Sequence, residues 1–219
     1  SLSMATRESR SGQGVMESWR AVMHKIGLNA VLKREPAGLA LLVDQADFDD
    51  LTPFRGAPLT RLQATNSLVT DLSPLRGMPL RSLELDNTRV TNLAPLHGMP
   101  LQRLDLGRTR ATNFTVLSGM LLHTLNLAHT RITDLSVIKG MPLRHLQLEG
   151  CTNVTDFTDL AECSQLEGVT LPIGAKGLEP LRKLPKLKHI GYTMPEGGWD
   201  RVPAAADFWK IQDARNNGQ

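Results

Sequence analysis

Leucines alternate with polar residues in a short phrase that returns every 21 residues through most of the chain. The phrase reads LRSLEL at residues 80–85, LQRLDL at 101–106, LHTLNL at 122–127 and LRHLQL at 143–148. Alternation of this kind predicts a short strand with one buried face, and a fixed period of this length predicts equivalent units stacked side by side. The alignment predicts strands that begin near Gly38, Leu59, Leu80, Leu101, Leu122, Leu143, Leu166 and Leu187.

Apolar residues in the second half of each repeat predict how the chain returns to the next strand. Three columns recur: Val69, Val90, Ala111, Ile132 and Val154; then Leu72, Leu93, Phe114, Leu135 and Phe157; then Leu75, Leu96, Leu117, Ile138 and Leu160. The three-residue separation of the second and third columns predicts one turn of 3₁₀ or α-helix on the outer side. Short acceptor side chains stand where they would cap that turn: Asp71, Asn92, Asn113, Asp134 and Asp156.

The two ends of the chain lack the repeat and are predicted to cap it. We expect a disordered tail over residues 1–12 and a helical N-terminal cap over residues 13–37, with Gly27 as the helix stop. The repeats are placed at residues 38–193. Residues 194–219 hold three of the nine aromatic residues of the chain, Trp199, Phe208 and Trp209, and they are interpreted as a C-terminal cap. The alternative is an exposed docking motif for another chain.

The amino-acid composition limits the make-up of the core and the kinds of partner that we expect. Of the 219 residues 41% are hydrophobic and only 4% are aromatic, so the core must be mainly leucine and valine. A methionine column at repeat spacing is interpreted as core filler: Met78, Met99, Met120 and Met141. The chain carries 25 basic and 22 acidic residues, a balance that gives no general case for nucleic-acid binding. We expect no membrane association, because no apolar run is long enough to span a bilayer.

The two cysteines, Cys151 and Cys163, stand at or near interior positions of the repeat and are predicted to be buried free thiols. Two thiols do not make a disulfide framework. Free thiols suit a reducing compartment, so we expect a cytoplasmic protein.

The repeat resembles the bacterial leucine-rich repeat family, especially internalin-like repeats, which carry Asp-Leu-x-Pro-Leu after the strand, as residues 71–75 do here. Over residues 38–193 the resemblance implies an α/β leucine-rich repeat solenoid, with a curved parallel sheet and short 3₁₀ or helical turns on the convex side. The period is mostly one residue shorter than in internalins, and hydroxyl or thiol side chains occupy the usual asparagine position: Ser67, Thr88, Thr109, Thr130 and Cys151. The Pro-Leu-x-Gly-Met-Pro-Leu wording is similar to repeats found beside protein-kinase domains in planctomycete-type bacteria. That similarity implies protein–protein contact.

Outward-facing strand residues form the predicted binding surface, since a solenoid of this type presents the open side of its sheet. The three columns are Arg61, Ser82, Arg103, Thr124 and His145; Gln63, Glu84, Asp105, Asn126 and Gln147; and Thr65, Asp86, Gly107, Ala128 and Glu149. The predicted partner-binding residues are Arg61, Glu84, Asp86, Arg103, Asp105, Asn126 and His145. The alternative is a solvated surface of exchanging ion pairs, each of little energetic consequence.

A second candidate site lies where the strands end. Its residues recur at fixed positions in consecutive repeats: Arg89, Arg108, Arg110 and Arg131. Stacked like charges repel, and an anion that bridges them reduces the repulsion. Candidate ligands are an acidic protein segment, a phosphorylated partner or a nucleic-acid backbone, although no aromatic residues interleave to stack bases. The alternative is that the arginines extend separately into water.

The sequence contains no pattern that points to catalysis. It has no nucleophile elbow, phosphate loop, zinc-protease helix or dinucleotide fingerprint. Glu84 and Asp105 could act as an acid–base pair only if their environments separated their pKa values. The histidines lack the close spacing of a zinc site. We therefore expect a monomeric, non-catalytic module that recognises a protein partner and carries no cofactor or metal.

Overall fold

The computed structural model describes residues 12–43 and 46–217, so almost all of the tail predicted at residues 1–12 lies outside the described residues. Two α-helices lie near the ends of this range, α1 (Gly12–Lys25) and α2 (Ala205–Asn217). The strands are β1 (Ala30–Glu35), β2 (Gly38–Val43), β3 (Leu59–Gln63), β4 (Ser82–Glu84), β5 (Arg103–Asp105), β6 (Thr124–Asn126), β7 (His145–Gln147), β8 (Gly168–Thr170) and β9 (His189–Gly191).

Over residues 12–43 and 46–217, all nine strands form one sheet in which each strand pairs with its neighbours in sequence. β1 and β2 form an antiparallel hairpin, and every later pair is parallel. The predicted solenoid is therefore confirmed. From β4 onward each strand begins two residues later than predicted, because Leu80 and its equivalents pack into the core before the parallel pairing starts at Ser82.

The outer side of each repeat is a short 3₁₀ turn, as predicted. The turns are Thr52–Phe54, Ser73–Leu75, Ala94–Leu96, Thr115–Leu117, Ser136–Ile138, Thr158–Glu162 and Glu179–Lys183. The predicted capping role of the short acceptors is also confirmed. Asp71 Oδ1 accepts a hydrogen bond from the backbone N–H of Ser73 at 2.8 Å, and Asn92 does the same for Ala94 at 3.0 Å. Hydrogen bonds from the Ser73 hydroxyl and amide lower the pKa of Asp71.

The core runs the length of the solenoid between the sheet and the 3₁₀ turns. Leu83 and Leu125 are completely buried in their strands, and the methionine column is buried as predicted. At the usual asparagine position the hydroxyls still bond to the backbone. Thr88 Oγ1 donates to the Leu85 carbonyl at 2.8 Å, and Thr109 Oγ1 donates to the Leu106 carbonyl at 2.7 Å.

Both cysteines are buried and free, as predicted. Cys151 Sγ donates to the Leu127 carbonyl at 2.9 Å. Burial raises the pKa of both thiols, that of Cys163 to about 11. Neither cysteine is therefore in an environment that produces a reactive thiolate.

The β1–β2 hairpin forms the N-terminal end of the sheet, and α1 packs against β1. Gly27 has a positive φ of 67° directly after α1, which confirms the predicted helix stop. Trp19 of α1 stacks against Phe54 with ring centroids 6.1 Å apart. Strand β1 lies inside the segment that was assigned to a helical cap, and sequence reasoning did not anticipate it.

The C-terminal end is covered by α2. Phe208 is buried against the last repeat and lies beside Tyr192, with ring centroids 5.4 Å apart. The Arg182 guanidinium lies 4.5 Å from the centre of the Trp209 ring. The cap boundaries at residues 37 and 194 stay predictions. Neither described helix is long and apolar enough to cross a membrane.

Candidate binding face

The strand register brings the predicted columns together. Arg61 pairs with Ser82, Ser82 with Arg103, Arg103 with Thr124 and Thr124 with His145. The second column pairs in the same order: Gln63, Glu84, Asp105, Asn126 and Gln147. The surface formed by these two columns and the residues just after them is the concave face. Each backbone step along a column is about 4.8 Å, so neighbouring side chains are within contact distance.

Asp105 lies at the centre of an acidic cluster with Glu84 and Asp86. Its Oδ1 accepts a hydrogen bond from the Gly107 backbone N–H at 2.9 Å. Burial raises the pKa of Asp105 to about 6 against the effect of hydrogen bonds from Gly107 and Asn126, and the charges of Asp86 and Glu84 raise it further. This carboxylate is therefore held in place and partly removed from water.

Gly107 allows the acidic cluster to form. A Cβ at this position would lie 2.4 Å from Asp86 Oδ1, 3.0 Å from Asn126 Nδ2 and 3.3 Å from Asp105 Oδ1. Contacts that short would push the three side chains apart. The absence of a side chain at Gly107 thus sets the spacing of the acidic groups.

Two arginines balance the acidic cluster. Arg61 donates to Glu84 at 2.9 Å and lies 3.7 Å from Glu35. Arg108 lies 3.1 Å from Asp86. Arg103, a predicted partner-binding residue, forms no ion pair within the described part of the chain.

The C-terminal segment covers one end of the column that contains Arg61, Arg103 and His145. Trp199 stacks on His145 with ring centroids 4.8 Å apart, and a Cβ on Gly168 would lie 2.5 Å from the Trp199 ring. Burial lowers the pKa of His145. The same segment is fixed at Glu149, whose Oε2 accepts a hydrogen bond from the Met194 backbone at 2.8 Å.

Sequence reasoning missed the role of Trp199, which was assigned to the C-terminal cap as a whole. The available signal was Gly168. It stands in a strand column where the earlier repeats carry larger residues, and a glycine inside a strand often marks the close approach of another group.

Sequence reasoning also missed a groove where the strands begin. Its volume is about 500 Å³, and its lining includes Arg61, Arg81, Arg103, His123, Arg144 and His145. Arg81, His123 and Arg144 stand directly before the strands, one residue outside the columns that were considered. We term this the strand-entry groove.

The four arginines of the predicted second site are all exposed. Arg89 and Arg110 lie at the same position of adjacent repeats. Their backbone amides donate to the carbonyls of Val69 and Val90, each at 3.0 Å. Arg108 differs from them. It has a left-handed backbone with φ of 54°, and its side chain is paired with Asp86. Arg108 therefore belongs with the acidic cluster, which leaves Arg89, Arg110 and Arg131 as the exposed basic edge.

The histidines do not come together as metal ligands. Over residues 12–43 and 46–217, no group of three or more histidine, cysteine, aspartate or glutamate side chains is arranged to hold a metal ion. His129 instead lies 3.7 Å from Glu149, and His189 Nδ1 lies 3.0 Å from the Val202 carbonyl oxygen.

Comparison with known proteins supports the fold. No protein-family model and no curated protein matches the sequence. Internalin C2 of Listeria monocytogenes has a similar structure, with a TM-score of 0.59 and 24% identity over 66% of this chain and 66% of that one. A second internalin of the same species, inlF, has a TM-score of 0.55 and 23% identity over 68% of this chain and 52% of that one. This chain thus spans less than two thirds of either protein. It is a leucine-rich repeat protein with an internalin-like fold.

Proposed function

We propose that this protein recognises a partner protein through the concave face and does not catalyse a reaction. The observation that carries the proposal is the acidic cluster around Gly107, where Asp105 is fixed by its hydrogen bond to the Gly107 amide. A fixed, partly desolvated carboxylate loses little side-chain entropy when it binds a donor. The strand ladder holds Glu84 and Asn126 in register on either side of it.

The raised pKa of Asp105 alone does not favour an enzyme. Catalysis by paired carboxyl groups needs one protonated and one ionised group directed at the same reacting atom. Here Asp105 Oδ1 accepts a hydrogen bond from the Gly107 backbone N–H, and Glu84 and Asp86 each face an arginine. The geometry fits a surface that offers charges and hydrogen bonds to another protein.

The proposal is tested by site-specific photocrosslinking in a lysate of the source organism. The crosslinker is placed at Gln63 on the concave face, or at exposed Thr115 on a 3₁₀ turn as a matched control. We expect one specific protein to be captured from Gln63 and none of it from Thr115. Addition of Asp105→Arg should abolish that capture.

An Arg110→Glu variant distinguishes binding at the concave face from binding at the basic edge. The concave-face proposal requires that capture from Gln63 survives this change. Capture that is lost with Arg110→Glu but retained with Asp105→Arg would overturn it and would move the site to the edge of Arg89, Arg110 and Arg131. The monomeric state and the cytoplasmic location stay predictions.

A further inference from the structure

The strand-entry groove carries an excess of positive charge, since four arginines and one glutamate line it. Arg81, Arg103 and Arg144 line the groove, and none of the three forms an ion pair over residues 12–43 and 46–217. The nearby carboxylates are already engaged: Glu35 lies near Arg61, and Glu167 lies 2.7 Å from Lys188. The groove is therefore basic along its middle, and the charge of Glu167 acts on Arg144 and His145.

The backbone sets the spacing of these arginines. Gln102 N donates to the Arg81 carbonyl, His123 N to the Gln102 carbonyl and Arg144 N to the His123 carbonyl, each at 2.8 Å. Arg81 and Arg144 are thus three strand steps apart, about 14 Å at the usual strand spacing. That distance matches roughly four residues of an extended peptide.

Arg61 and His145 also line the groove. The buried Nε–H of Arg61 has no hydrogen-bond acceptor over residues 12–43 and 46–217. Burial is the main cause of the lowered pKa of His145; the charge of Glu167 raises this pKa, whereas the charges of Arg103 and Arg144 lower it. An anionic ligand would reduce the repulsion among the groove arginines.

An apolar hollow adjoins the groove and shares Gln102 and His123 with it. Its volume is about 570 Å³, and Met99, Val116 and Leu121 line it. The Leu121 side chain is 71% exposed, at the repeat position that Pro79, Pro100 and Pro142 occupy elsewhere. A single large exposed leucine beside a basic groove offers a contact for one apolar side chain.

We infer that the strand-entry groove binds an extended acidic peptide segment of the partner protein, with one large apolar side chain in the hollow at Leu121. Carboxylates of the segment pair with Arg81, Arg103 and Arg144. The groove lining contains no phenylalanine, tyrosine or tryptophan ring for base stacking, which favours a peptide over single-stranded nucleic acid. The inference rests on the proposed function, because it specifies which part of a protein partner this edge receives.

The test selects binders from a random-peptide display library on the immobilised full chain. We expect the selected peptides to be rich in aspartate and glutamate and to contain a large apolar residue. The double variant Arg81→Glu and Arg144→Glu should weaken their binding roughly tenfold or more, which corresponds to about 1.4 kcal/mol. The double variant Arg55→Glu and Arg76→Glu changes two exposed arginines directly after 3₁₀ turns; it is the matched charge control and should leave affinity unchanged.

Leu121→Pro tests the apolar contact without endangering the fold, since proline stands at this position in four other repeats, as Pro58, Pro79, Pro100 and Pro142. It should weaken peptides that contain the apolar residue and leave purely acidic peptides unaffected. The inference is overturned if no acidic peptides are selected. It is also overturned if the selected peptides bind the Arg81 and Arg144 double variant as well as they bind the unaltered chain.

Failure of this inference is distinguishable from failure of the proposed function. If a partner captured at Gln63 depends on Asp105 but not on Arg81 and Arg144, the concave-face proposal stands and the acidic-segment inference falls. If no partner is captured at Gln63, the proposed function falls whatever the peptide selection yields.

Discussion

The Trp199 indole lies on the His145 imidazole, with ring centroids 4.8 Å apart and an angle of 26° between the planes. The tryptophan comes from the short turn Trp199–Arg201 that precedes α2, whereas the histidine begins β7. The C-terminal segment therefore covers the concave face at β7 and β8. The part of the face left open for a partner runs from β3 to β6.

Replacement of Trp199 by alanine should expose His145. Because burial is the largest cause of the lowered pKa of His145, that pKa should rise toward its ordinary value in the variant. Loss of the half-buried ring should also reduce the free energy of unfolding by about 1–3 kcal/mol. Histidine NMR titration and urea unfolding measure the two effects.

The lowered pKa of His145 also determines the sign of the pH dependence of folding stability. A histidine whose pKa is lower in the folded than in the unfolded state binds fewer protons when folded, so it reduces stability as the pH falls below its unfolded pKa. Trp199→Ala should weaken this dependence. An unchanged pKa of His145 in the variant would show that Trp199 is not what buries the imidazole.

Asp105→Asn should stabilise the protein near pH 8. Burial raises the pKa of Asp105 from its ordinary value of 3.8 to about 6, so its ionisation costs stability as the pH rises between these values, and the full cost is present above pH 6. An asparagine should keep the hydrogen bond, because Asn126 in the next repeat accepts from the Ala128 amide at 2.8 Å in the same way. The expected gain is ~1–3 kcal/mol.

Urea unfolding of this variant and the unaltered chain at pH 8 and pH 4.5 gives the check. The gain from Asp105→Asn should shrink at the lower pH, where the folded protein already holds the carboxyl protonated. An equal gain at both pH values would mean that the ionised carboxylate is not the source of the difference.

Leu104→Ala should destabilise the centre of the solenoid. The side chain is 1% exposed in the middle of β5, and removal of a buried leucine costs about 2–5 kcal/mol. Gln102→Ala, at an exposed position two residues earlier, is the control and should change the urea midpoint little. Similar midpoints for the two variants would contradict the strand register described here.

His129→Asn should stabilise the protein by about 0.5–1 kcal/mol, because histidine is strained in the left-handed conformation that asparagine tolerates. His129 has φ of 57°, and Asn66 and Asn87 adopt the same conformation in earlier repeats. The loss of the exposed contact with Glu149 should offset little of this gain. His97→Asn, where the backbone φ is −56°, should give no gain in thermal unfolding.

Neither cysteine should react with a water-soluble thiol reagent in the folded protein. Both are buried, and burial raises the pKa of each thiol, so the reactive thiolate is scarce. Two equivalents of reagent should be consumed only after unfolding in urea. An engineered Ser118→Cys, at an exposed position, is the positive control and should react at once.

The sequence predicts the repeated parts of the fold well, because each position recurs under the same physical constraints. Leucine alternation determines the strand faces, and the acceptors before each turn determine the 3₁₀ segments. The shift of two residues at the strand starts arises because a buried leucine such as Leu80 looks the same whether it lies inside or just before a paired strand.

Features that occur only once are the ones that sequence reasoning missed. β1 carries a single buried leucine, Leu32, and so lacks an alternating pattern strong enough to recognise. Trp199 reaches His145 through a contact between distant parts of the chain, for which Gly168 was the local signal. The strand-entry groove was missed because Arg81 and Arg144 stand one residue before the strand columns that were considered.

The uniform ladder between β3 and β7 also has a consequence for how this protein can change over generations. Each parallel strand there is bonded only to its two neighbours and in the same way, so the loss or duplication of one 21-residue block leaves every remaining strand an equivalent partner. Such an event would move the hairpin at one end and Trp199 at the other by about 4.8 Å relative to each other. Copying a single stretch of DNA could therefore lengthen the space available to a partner by one strand width, with no new fold required.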